Sequence, residues 1–490
     1  MLYCNYTKIV FYNFSGEVTV MYTIEEMKNA DLSFEDARKK HAAWQREKLL
    51  KKYSSQAVEE IEAALREADA FITEGDVFGW LGGLYDAEVG GFYFSPSARD
   101  TDGFLPDLES TRQALSFFMT SGAGRALAPT LGEALPEWMK EDVTRFVKRL
   151  QDPENGYFYH PQWSRGDTDA QPGRLGRDLN WAVALLRDFG KRPTYDTPTG
   201  ECGDGISYDG RPVAKPLLKS EQVPKAARPH LEDAESFIAR LAEYEPQLAT
   251  PNGAWIIGNF FESEAMQIVE RDRRLKEMGS DTVLCDLLAD WLGKTQDAES
   301  GSWTVEGDSY NKTNGILKIC RTYNQIDRPF PNCAAALRTV IYSILDSSAA
   351  DTVCHVLNPW YAVGALVWNA SAFSSSTEER EVILSLRRYV GENAPAMIRA
   401  TAGKLSRFRV GDGSFIYKPD RAGISQGMRV APNGVFDGDV NATIIGGRAV
   451  MMHVYDAIGS ELPPLYSGSD AMRFLNIIEE KKLAASKKIR

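Results

Sequence analysis

Cysteine and histidine are scarce in this chain of 490 residues, which has five histidines. No C-x-x-C pair occurs among its six cysteines, which are Cys4, Cys202, Cys285, Cys320, Cys333 and Cys354. This spacing speaks against a zinc ribbon or a thioredoxin-like motif. Scattered thiols are typical of a reducing compartment, and we therefore expect a cytoplasmic protein.

Long apolar runs are also missing. No run reaches the roughly eighteen residues of a membrane-spanning helix, so we expect no membrane partner. The first twenty residues lack the apolar core and the cleavage site of a signal peptide, and Met21 opens what resembles a normal domain start. We interpret residues 1–20 as a non-native or disordered N-terminal extension.

Several common catalytic motifs are absent. There is no phosphate-binding P-loop, no strand-linked G-x-G-x-x-G, no G-x-S-x-G and no H-E-x-x-H. We therefore expect neither a nucleotide cofactor nor a metal. The net charge of −12 and the pI of about 5.2 argue against a nucleic-acid partner, which needs a basic surface. A small-molecule substrate is the expected partner.

What the chain does contain is a degenerate internal repeat. Each copy has an acidic turn, then a glycine, then an aromatic residue, as in QDAESGSW at 296–303. The four copies lie at 85–94, 150–159, 295–303 and 410–415. A charged helical pattern precedes each turn, and a polar loop with an apolar helix follows it. Repetition of one unit indicates an array of supersecondary elements.

The helices predicted after the turns are apolar over much of their circumference, as expected of helices buried on both sides. They are predicted at 108–119, 179–189, 314–323, 360–368 and 440–455, with a further one at 260–270. The preceding helices are more charged and suit an outer layer. Strand patterns are sparse, and only short β-hairpins are expected at the rim. The predicted fold class is all-α, an (α/α)6 toroid of helical hairpins.

We predict one toroid domain over residues 21–478. One hairpin per about 65–75 residues gives six hairpins in this length. The stretch 191–229 is rich in proline and glycine, and we interpret it as a long loop insertion, either functional or a surface feature. Residues 479–490 are expected to be a basic tail that frays.

The turns also resemble those of a known superfamily. Gln296-x4-Gly301-x-Trp303 resembles the Gln-x(2–5)-Gly-x-Trp repeat of triterpene cyclases, and QDPENGYF at 151–158 is a looser copy. The segment PDLESTRQAL at 106–115 resembles an inner helix of the prenyltransferase and cyclase repeats. The resemblance implies an α/α toroid, an architecture that many glycoside hydrolases and polysaccharide lyases also use.

Two chemistries of that superfamily lack their residues here. Class II terpene cyclases carry a catalytic Asp-x-Asp-Asp, whereas the nearest segment, Asp437-Gly438-Asp439, has no adjacent aspartates. Protein prenyltransferases hold zinc with Asp, Cys and His, and their spacing does not occur in this chain. We therefore set both chemistries below carbohydrate cleavage.

Candidate site residues come from the loops that enter the apolar helices, because these loops converge on one mouth of a toroid. Helix N-termini at that mouth offer free N–H groups to a ligand. Asp178 could act as a general acid or base, with Arg177 holding a carboxylate and Trp181 stacking on a sugar ring. Asn180 lies between them as a binding candidate. The alternative role of Asp178 is to cap the following helix.

Asp439 is the candidate partner carboxylate of Asp178, because glycoside hydrolysis needs two carboxylates that flank the bond. A face-to-face pair about 5–10 Å apart would support hydrolysis. The alternative is again capping, combined with an Asp-Gly turn. Asn441, two residues further on, is a candidate for substrate binding.

Tyr310 and His355 are the candidates for a lyase. A tyrosine can remove a proton when a positive charge lies nearby, so Tyr310 beside a histidine and an arginine would support elimination. Asn311 is a binding candidate in the same segment. The alternative is a capped loop for the segment and a structural role for the histidine.

The remaining candidates for substrate binding are aromatic, acidic or imidazole side chains at the same helix entries. They are His160, Trp163, Glu109, Glu262 and Trp360. The aromatic residues of the Gly-aromatic units are instead expected to pack between neighbouring hairpins. These are Phe92, Phe158, Trp303 and Phe415.

The predicted function is a carbohydrate-active enzyme that cleaves glycosidic bonds of oligosaccharides, by hydrolysis or by elimination. Uronate-containing oligosaccharides are a candidate substrate class. The step from toroid to carbohydrate is an analogy of fold. Two alternatives stay open: a terpenoid cyclase-like enzyme with Asp437 or Asp439 as the acid in an aromatic cavity, and a non-catalytic binding protein.

Overall fold

The structure is a computed structural model that describes residues 9–12, 18–213, 229–248, 250–303, 307–373, 377–420 and 422–488. Helix makes up 64% of it and strand 3%, which confirms the predicted all-α class. In the described part of the chain, no helix is both long and apolar enough to cross a membrane.

The helices are numbered in chain order. The first ten are α1 (Ile24–Leu50), α2 (Ser55–Thr73), α3 (Val77–Gly83), α4 (Pro96–Arg99), α5 (Leu108–Thr120), α6 (Ala123–Leu127), α7 (Leu131–Ala134), α8 (Glu137–Arg149), α9 (Arg165–Asp169) and α10 (Pro172–Asp188). A 3-10 turn (Pro229–Leu231) precedes the others, which are α11 (Ala234–Leu248), α12 (Gly253–Glu277), α13 (Leu284–Thr295), α14 (Ser309–Gln325), α15 (Cys333–Leu345), α16 (Cys354–Ala372), α17 (Thr377–Leu405), α18 (Val440–Ile444), α19 (Val450–Ala457) and α20 (Gly468–Lys488).

In the part of the chain that the structure describes, the strands form three short antiparallel pairs. They are β1 (Ile9–Tyr12) with β2 (Val18–Met21), β3 (Tyr85–Asp86) with β4 (Gly91–Phe92), and β5 (Ile424–Ser425) with β6 (Met428–Arg429). The β3–β4 pair is a short hairpin at the first repeated turn. In the predicted N-terminal extension, Ile9 pairs with Met21, while residues 1–8 and 13–17 lie outside the described residues.

Helix α2 shows how the sequence specifies these elements. Ser54 caps the helix by accepting a hydrogen bond from the backbone of its third residue, Ala57. Val58, Ile61 and Leu65 then recur at helical spacing and are buried. Each buried aliphatic side chain contributes about 1.5–3 kcal/mol relative to exposure. This stripe packs α2 against α17.

The predicted apolar helices are all present as α5, α10, α12, α14, α16 and α18–α19, and most are longer than predicted. Helix α12 packs on α14, α14 on α16 and α16 on α19, while α18 packs on α5 and α5 on α10. Between α18 and α19 the helix widens into a π-turn, Ile445–Ala449. At its Gly446, a Cβ would come within 2.5 Å of the Phe415 ring.

The four repeated turns share one geometry. Their central glycines have positive φ angles of 88°, 73°, 65° and 91°, and they are Gly90, Gly156, Gly301 and Gly413. The aromatic residues that follow are buried, as predicted, and they are Phe92, Phe158, Trp303 and Phe415. The turn glutamines close their own turns, because Gln296 Nε2 donates to the Gly301 carbonyl (2.8 Å) and Gln151 Nε2 to the Gly156 carbonyl (3.2 Å).

The first and last helices of the described chain pack together. Helix α20 contacts α1 and α3. Its Phe474 ring lies 6.0 Å from Phe78, 6.1 Å from Phe92 and 5.0 Å from Phe118, measured between ring centroids. We call these four residues the aromatic junction. It joins the N-terminal and C-terminal parts of the chain into one hydrophobic core.

The C-terminus differs from the predicted frayed tail at 479–490. Helix α20 continues to Lys488. Glu479 is buried and accepts a hydrogen bond from Trp138 Nε1 (2.9 Å). Lys481 Nζ donates to the Tyr85 carbonyl (2.7 Å), so a residue read as part of a solvated end contacts the body of the protein. Residues 489–490 lie outside the described residues.

The first part of the predicted loop insertion, residues 191–213, packs on α8 and on the second repeated turn. Lys148 Nζ pairs with Asp204 Oδ2 at 2.8 Å. The Gln151 amide binds the Tyr195 backbone twice, accepting from its N–H at 3.0 Å and donating to its carbonyl at 2.9 Å. Residues 214–228 lie outside the described residues.

Candidate functional site

Five ionisable side chains from the start of α5 and from α10 form a buried group, which we call the arginine cluster. Arg174 is wholly buried and donates from Nε to Asp178 Oδ2 at 2.9 Å. It also donates from Nη1 to Glu109 Oε2 at 2.8 Å and from Nη2 to Asp107 Oδ1 at 3.1 Å. Arg177, with a side chain 44% exposed, adds a second pair to Glu109 at 3.2 Å.

The arginine cluster holds two positive charges and three carboxyl groups. Burial raises the pKa of Asp178 to about 7, although the Arg174 guanidinium acts in the opposite direction. Burial also raises the pKa of Glu109. Asp178 therefore carries a proton over part of the neutral pH range. Its Oδ1 is buried without a hydrogen-bond partner among the described residues.

A hairpin and a tryptophan close over the arginine cluster. From the β5–β6 hairpin, Ser425 Oγ donates to Glu109 Oε2 at 2.5 Å. Arg174 Cζ lies 4.4 Å from the centroid of the Trp163 ring, and Trp163 Nε1 donates to the Arg429 carbonyl at 2.9 Å. Trp163, a candidate for substrate binding, is half-buried, and its ring is engaged by a buried guanidinium.

His160 and Trp360, two further binding candidates, are buried and hydrogen-bonded within the protein. His160 Nδ1 accepts from the Gln162 N–H at 3.3 Å, and Nε2 lies 2.7 Å from the Pro106 carbonyl, so both ring nitrogens are engaged. Burial lowers the pKa of His160, which favours the neutral ring. Trp360 is wholly buried, and its Nε1 donates to Thr401 Oγ1 at 2.7 Å.

Asp439 is a cap, as its alternative role predicted. It is wholly buried, and its Oδ1 accepts from the Ala442 N–H at 2.7 Å at the start of α18. Its Oδ2 accepts from the Tyr417 N–H at 2.8 Å. Asp437 similarly accepts from the Ser97 N–H at 2.6 Å. Because Asp439 is held by backbone donors, the structure gives no support to it as the partner carboxylate of Asp178.

Asp178 itself is not a cap. Helix α10 begins at Pro172, seven residues before the predicted start, because proline fits the first turn of a helix. Asp178 therefore lies inside the helix, one turn after Arg174, and the capping alternative is wrong. The neighbouring Asn180 is exposed on the same helix. Trp181 lies with its ring centroid 5.5 Å from Arg177 Cζ.

A second group lies at the N-terminal ends of α14 and α16, and we call Tyr310, Asn314, His355 and Asn358 the tyrosine cluster. The ring centroids of Tyr310 and His355 are 3.5 Å apart, with 30° between the ring planes. Asn358 Nδ2 donates to Tyr310 Oη at 3.2 Å and to Asn314 Oδ1 at 2.8 Å. Tyr310 and His355, the two candidates named for a lyase, are therefore in ring contact.

Hydrogen bonding sets the protonation of this cluster. The Thr352 N–H donates to His355 Nδ1 at 3.1 Å, so the neutral His355 ring carries its proton on Nε2. Burial lowers the pKa of His355, which keeps the ring neutral. Burial also raises the pKa of Tyr310, while the Asn358 hydrogen bond acts in the opposite direction. At neutral pH both groups are therefore uncharged proton donors.

Cys354 lies between the two clusters. Tyr417 Oη donates to its Sγ at 3.4 Å. Burial raises the pKa of the Cys354 thiol, and the positive charges of Arg177 and Lys318 oppose that rise. The same thiol acts on the pKa of Tyr310. Arg177, which pairs with Glu109, therefore also acts on a thiol next to the tyrosine cluster.

Glu262 belongs to a third group, on the same helix faces but further along the helices. Lys318 Nζ donates to Glu262 Oε2 at 3.1 Å, and Arg321 Nε donates to Glu262 Oε1. Arg321 Cζ lies 4.9 Å from the Tyr361 ring, which stacks on His453 at 4.3 Å. Burial, with the charges of Arg448 and Arg321, lowers the pKa of His453 to about 4.

The last two binding candidates differ in their surroundings. Asn441 Oδ1 accepts from Gln113 Nε2 at 3.0 Å, and Gln113 also reaches Glu109 Oε1 at 3.4 Å. Asn441 is thereby connected to the arginine cluster. The backbone N–H of Asn311 donates to the capping Asp308 Oδ1 at 2.7 Å. That contact is the capped loop named as the alternative for this segment.

Several residues of the two clusters and of the contacts between them were not among the candidates named from the sequence. They are Asp107, Arg174, Asn314, Cys354, Asn358 and Tyr417. Helical spacing could have identified some of them, because Arg174 lies four residues before Asp178 and Asn314 four residues after Tyr310, on the same helix faces. Tyr417 could not have been identified in this way, because it lies in a loop and has no helical spacing to another residue of the site.

No group of three or more His, Cys, Asp or Glu side chains that could hold a metal ion occurs within the described ranges. Comparison of the chain with protein-family models, with curated proteins and with solved structures finds no match.

Proposed function

We propose that the chain is a carbohydrate-active enzyme of the α/α-toroid type that cleaves uronate-containing oligosaccharides by β-elimination. The observation that carries the proposal is the tyrosine cluster, where Tyr310 lies against His355 beside two asparagine amides. We assign the positive charge to Arg177, whose side chain is 44% exposed and which acts on the pKa of Cys354, the neighbour of His355 in sequence.

The toroid is supported by the order in which the apolar helices pack. Contacts connect α10, α5, α18–α19, α16, α14 and α12 in that order. The second residues of α5, α14, α16 and α18 are Glu109, Tyr310, His355 and Asn441. Polar side chains from these helix starts hydrogen-bond or stack across helices, as expected where inner helices open on one mouth.

β-Elimination on a uronate needs three functions. The carboxylate must be neutralised, the proton on C5 must be removed, and the leaving oxygen on C4 must receive a proton. The bond between C4 and its oxygen breaks as the C4–C5 double bond forms, so one proton passes from C5 to the leaving group. Arg177 suits the carboxylate because its guanidinium can bind it with two hydrogen bonds.

The remaining functions fit the tyrosine cluster. His355 Nε2–H is a neutral donor that can stabilise the charge that develops on the carboxylate. Tyr310, as phenolate, can take the C5 proton and then return it to the leaving oxygen on the same face of the ring. The Asn358 amide already donates to the phenol oxygen and would stabilise that phenolate.

The test is a screen of the purified protein against uronate-containing and neutral oligosaccharides. Absorbance at about 235 nm, where unsaturated uronates absorb, is read in parallel with reducing ends. We expect both signals to rise on a uronate substrate and both to be lost in Tyr310→Phe. Tyr342→Phe is the matched control, because Tyr342 is 65% exposed on α15.

Hydrolysis is the second candidate, and the observation in its favour is that Asp178 Oδ1 is buried without a hydrogen-bond partner among the described residues, where burial raises the pKa of this carboxyl toward that of a general acid. Reducing ends without the absorbance rise, lost in Asp178→Asn and kept in Tyr310→Phe, would overturn elimination and establish hydrolysis. No signal on any sugar would overturn both and direct attention to terpenoid substrates or to non-catalytic binding.

A further inference from the structure

A cleft of about 740 Å³ lies between α1 and the turn that joins α5 to α6. This volume is within the range of roughly 300–1,000 Å³ that is usual for small-molecule sites. No residue of the arginine cluster or of the tyrosine cluster lines it. Its apolar walls come from α1, from the segment before α20 and from α20 itself, and they include Ala30, Phe34, Leu462, Pro463, Pro464 and Met472.

Arg448, from the π-turn, forms part of the cleft wall. Its Nε donates to the Thr120 carbonyl at 2.6 Å, and its Nη1 lies 3.4 Å from Met452 Sδ. A guanidinium has five N–H groups, so these contacts leave donors free. Arg448 is half-buried, and within the described ranges it forms no ion pair with a carboxylate. Burying such a charge without a partner is costly.

Arg125, on α6, is a second positive charge on the same wall. It is exposed and forms no ion pair with a described residue. Its charge adds to burial in lowering the pKa of Arg448, so the two guanidinium groups repel each other. An anion between them would relieve this repulsion and supply acceptors for the free N–H groups.

Among the described residues, one carboxylate lines the cleft, and it accepts hydrogen bonds. Glu26 Oε2 accepts from the Thr23 N–H at 2.8 Å and from Thr23 Oγ1 at 2.9 Å, as the capping box of α1. The nearby Asp31 accepts from Ser467 Oγ at 2.8 Å. Neither Glu26 nor Asp31 forms an ion pair with Arg125 or Arg448, so among the described residues the two guanidinium groups have no carboxylate partner.

We propose that this cleft binds an organic monoanion with a carboxylate head and an apolar body, of the size of a medium-chain fatty acid. The carboxylate would lie between Arg125 and Arg448, where planar guanidinium groups can each donate two hydrogen bonds to it. The hydrocarbon would lie against Phe34 and the Pro463–Pro464 wall. The site is separate from the proposed active site and does not depend on the proposed function.

The test is calorimetric titration of the full chain with decanoate, and with decan-1-ol and decyltrimethylammonium as matched probes of the same chain length. We expect one decanoate to bind per chain and decanol to bind about tenfold more weakly, because it lacks the charge. The cationic probe should not bind. Thermal unfolding in the presence of decanoate gives a second reading, because a ligand of the folded state raises Tm.

Arg125→Gln is the informative variant, because Arg125 is exposed and its replacement should not disturb folding. We expect at least about a fivefold loss of decanoate affinity, with decanol binding unchanged. Arg338→Gln, at an exposed arginine on α15, is the matched control and should bind as the parent does. Absence of decanoate binding, equal binding of decanol, or an unchanged affinity in Arg125→Gln would each overturn the proposal.

Discussion

Arg174 is the residue on which the buried charges of the arginine cluster depend. It pairs with Asp107, Glu109 and Asp178 while wholly buried. We expect Arg174→Met to lower the free energy of unfolding by about 3–5 kcal/mol, because it leaves buried carboxyls without their counter-charge. Urea unfolding of the variant and the parent measures this loss.

Arg177→Met is the matched control for Arg174. Arg177 contacts the same Glu109, but its side chain is 44% exposed, so we expect a loss of no more than about 1 kcal/mol. Equal losses for the two variants would show that burial of the guanidinium does not determine its contribution.

Asp178 gives the stability a predictable dependence on pH. Its pKa in the folded protein is raised to about 7 from the ordinary 3.8, so the folded state binds the proton more tightly than the unfolded state. This group therefore makes stability fall as pH rises from about 4 to 7. This contribution to the fall in the free energy of unfolding is on the order of a few kcal/mol, and it should be absent in Asp178→Asn.

Unfolding free energies of the parent and of Asp178→Asn, measured between about pH 4 and pH 8, test this sign. The stability of the variant relative to the parent should increase with pH across that window. A constant difference would mean that Asp178 titrates in the folded protein as it does in the unfolded chain.

Tyr310 predicts the pH profile of the proposed elimination. Burial raises its pKa above the ordinary 10, so only a small fraction is phenolate at neutral pH. We expect kcat/KM to rise about tenfold per pH unit between roughly pH 7 and 9, because the active base becomes more abundant. A maximum near neutral pH in that profile would contradict a tyrosine base.

At the scale of elements, the repeated turns require glycine for two separable reasons. Gly301 has a φ of 65°, and a Cβ there would lie 2.3 Å from the Ala336 backbone nitrogen. Gly190, which lies outside the repeated turns, has a φ of 66°, and a Cβ there would have no atom within 4 Å. We expect Gly190→Ala to cost about 1 kcal/mol from φ alone, and Gly301→Ala to cost clearly more.

Thermal and urea unfolding of the two glycine variants separate these contributions. If both lose the same stability, the close approach of α15 to the third turn is not a constraint, and only the backbone conformation matters.

The helices show which parts of the fold the sequence could predict. Helix α5 was predicted at 108–119 and observed at Leu108–Thr120, because its apolar pattern and its cap at Asp107 are local. Helix α10 was predicted to begin seven residues late. Its first turn contains Arg174, a charged residue of the kind that usually lies on a surface. Arg174 is instead buried, because it pairs with Glu109, which is 65 residues away in sequence and which also accepts a hydrogen bond from the β5–β6 hairpin.

The residues of the candidate site could likewise be predicted only in part. Tyr310 and His355 were predicted because both follow loops that enter apolar helices, and the packing of α14 on α16 brings them together. The Asp178 and Asp439 pair was not found, because the composition of a loop does not say which carboxylates are bound by backbone N–H groups. Asp439 accepts two such bonds, one of them from Tyr417, a residue distant in sequence.

At the scale of the whole molecule, α20 completes the core. Removal of residues 468–490 would take Phe474 and Ile478 out of the core and expose the apolar side chains of α3. We expect this truncation to abolish cooperative unfolding or to lower Tm by more than about 10 °C, since loss of several buried side chains costs many kcal/mol. Calorimetry of the purified protein measures the transition.

Removal of residues 484–490 alone is the matched control, because it keeps Glu479 and Lys481 with their contacts. We expect its Tm to stay within a few degrees of the parent. A similar loss in both truncations would place the stabilising contacts in the last seven residues instead.

The aromatic junction can form only late in the synthesis of the chain. Phe78 and Phe474 lie in one cluster, yet 474 − 78 = 396 further residues must be translated after Phe78 before Phe474 is in place. At about 5–20 residues per second, the ribosome needs roughly 20–80 s to supply the partner ring. During that interval the nascent chain presents the rings of Phe78, Phe92 and Phe118 without Phe474. The emerging polypeptide should therefore recruit chaperones until its last helix leaves the exit tunnel.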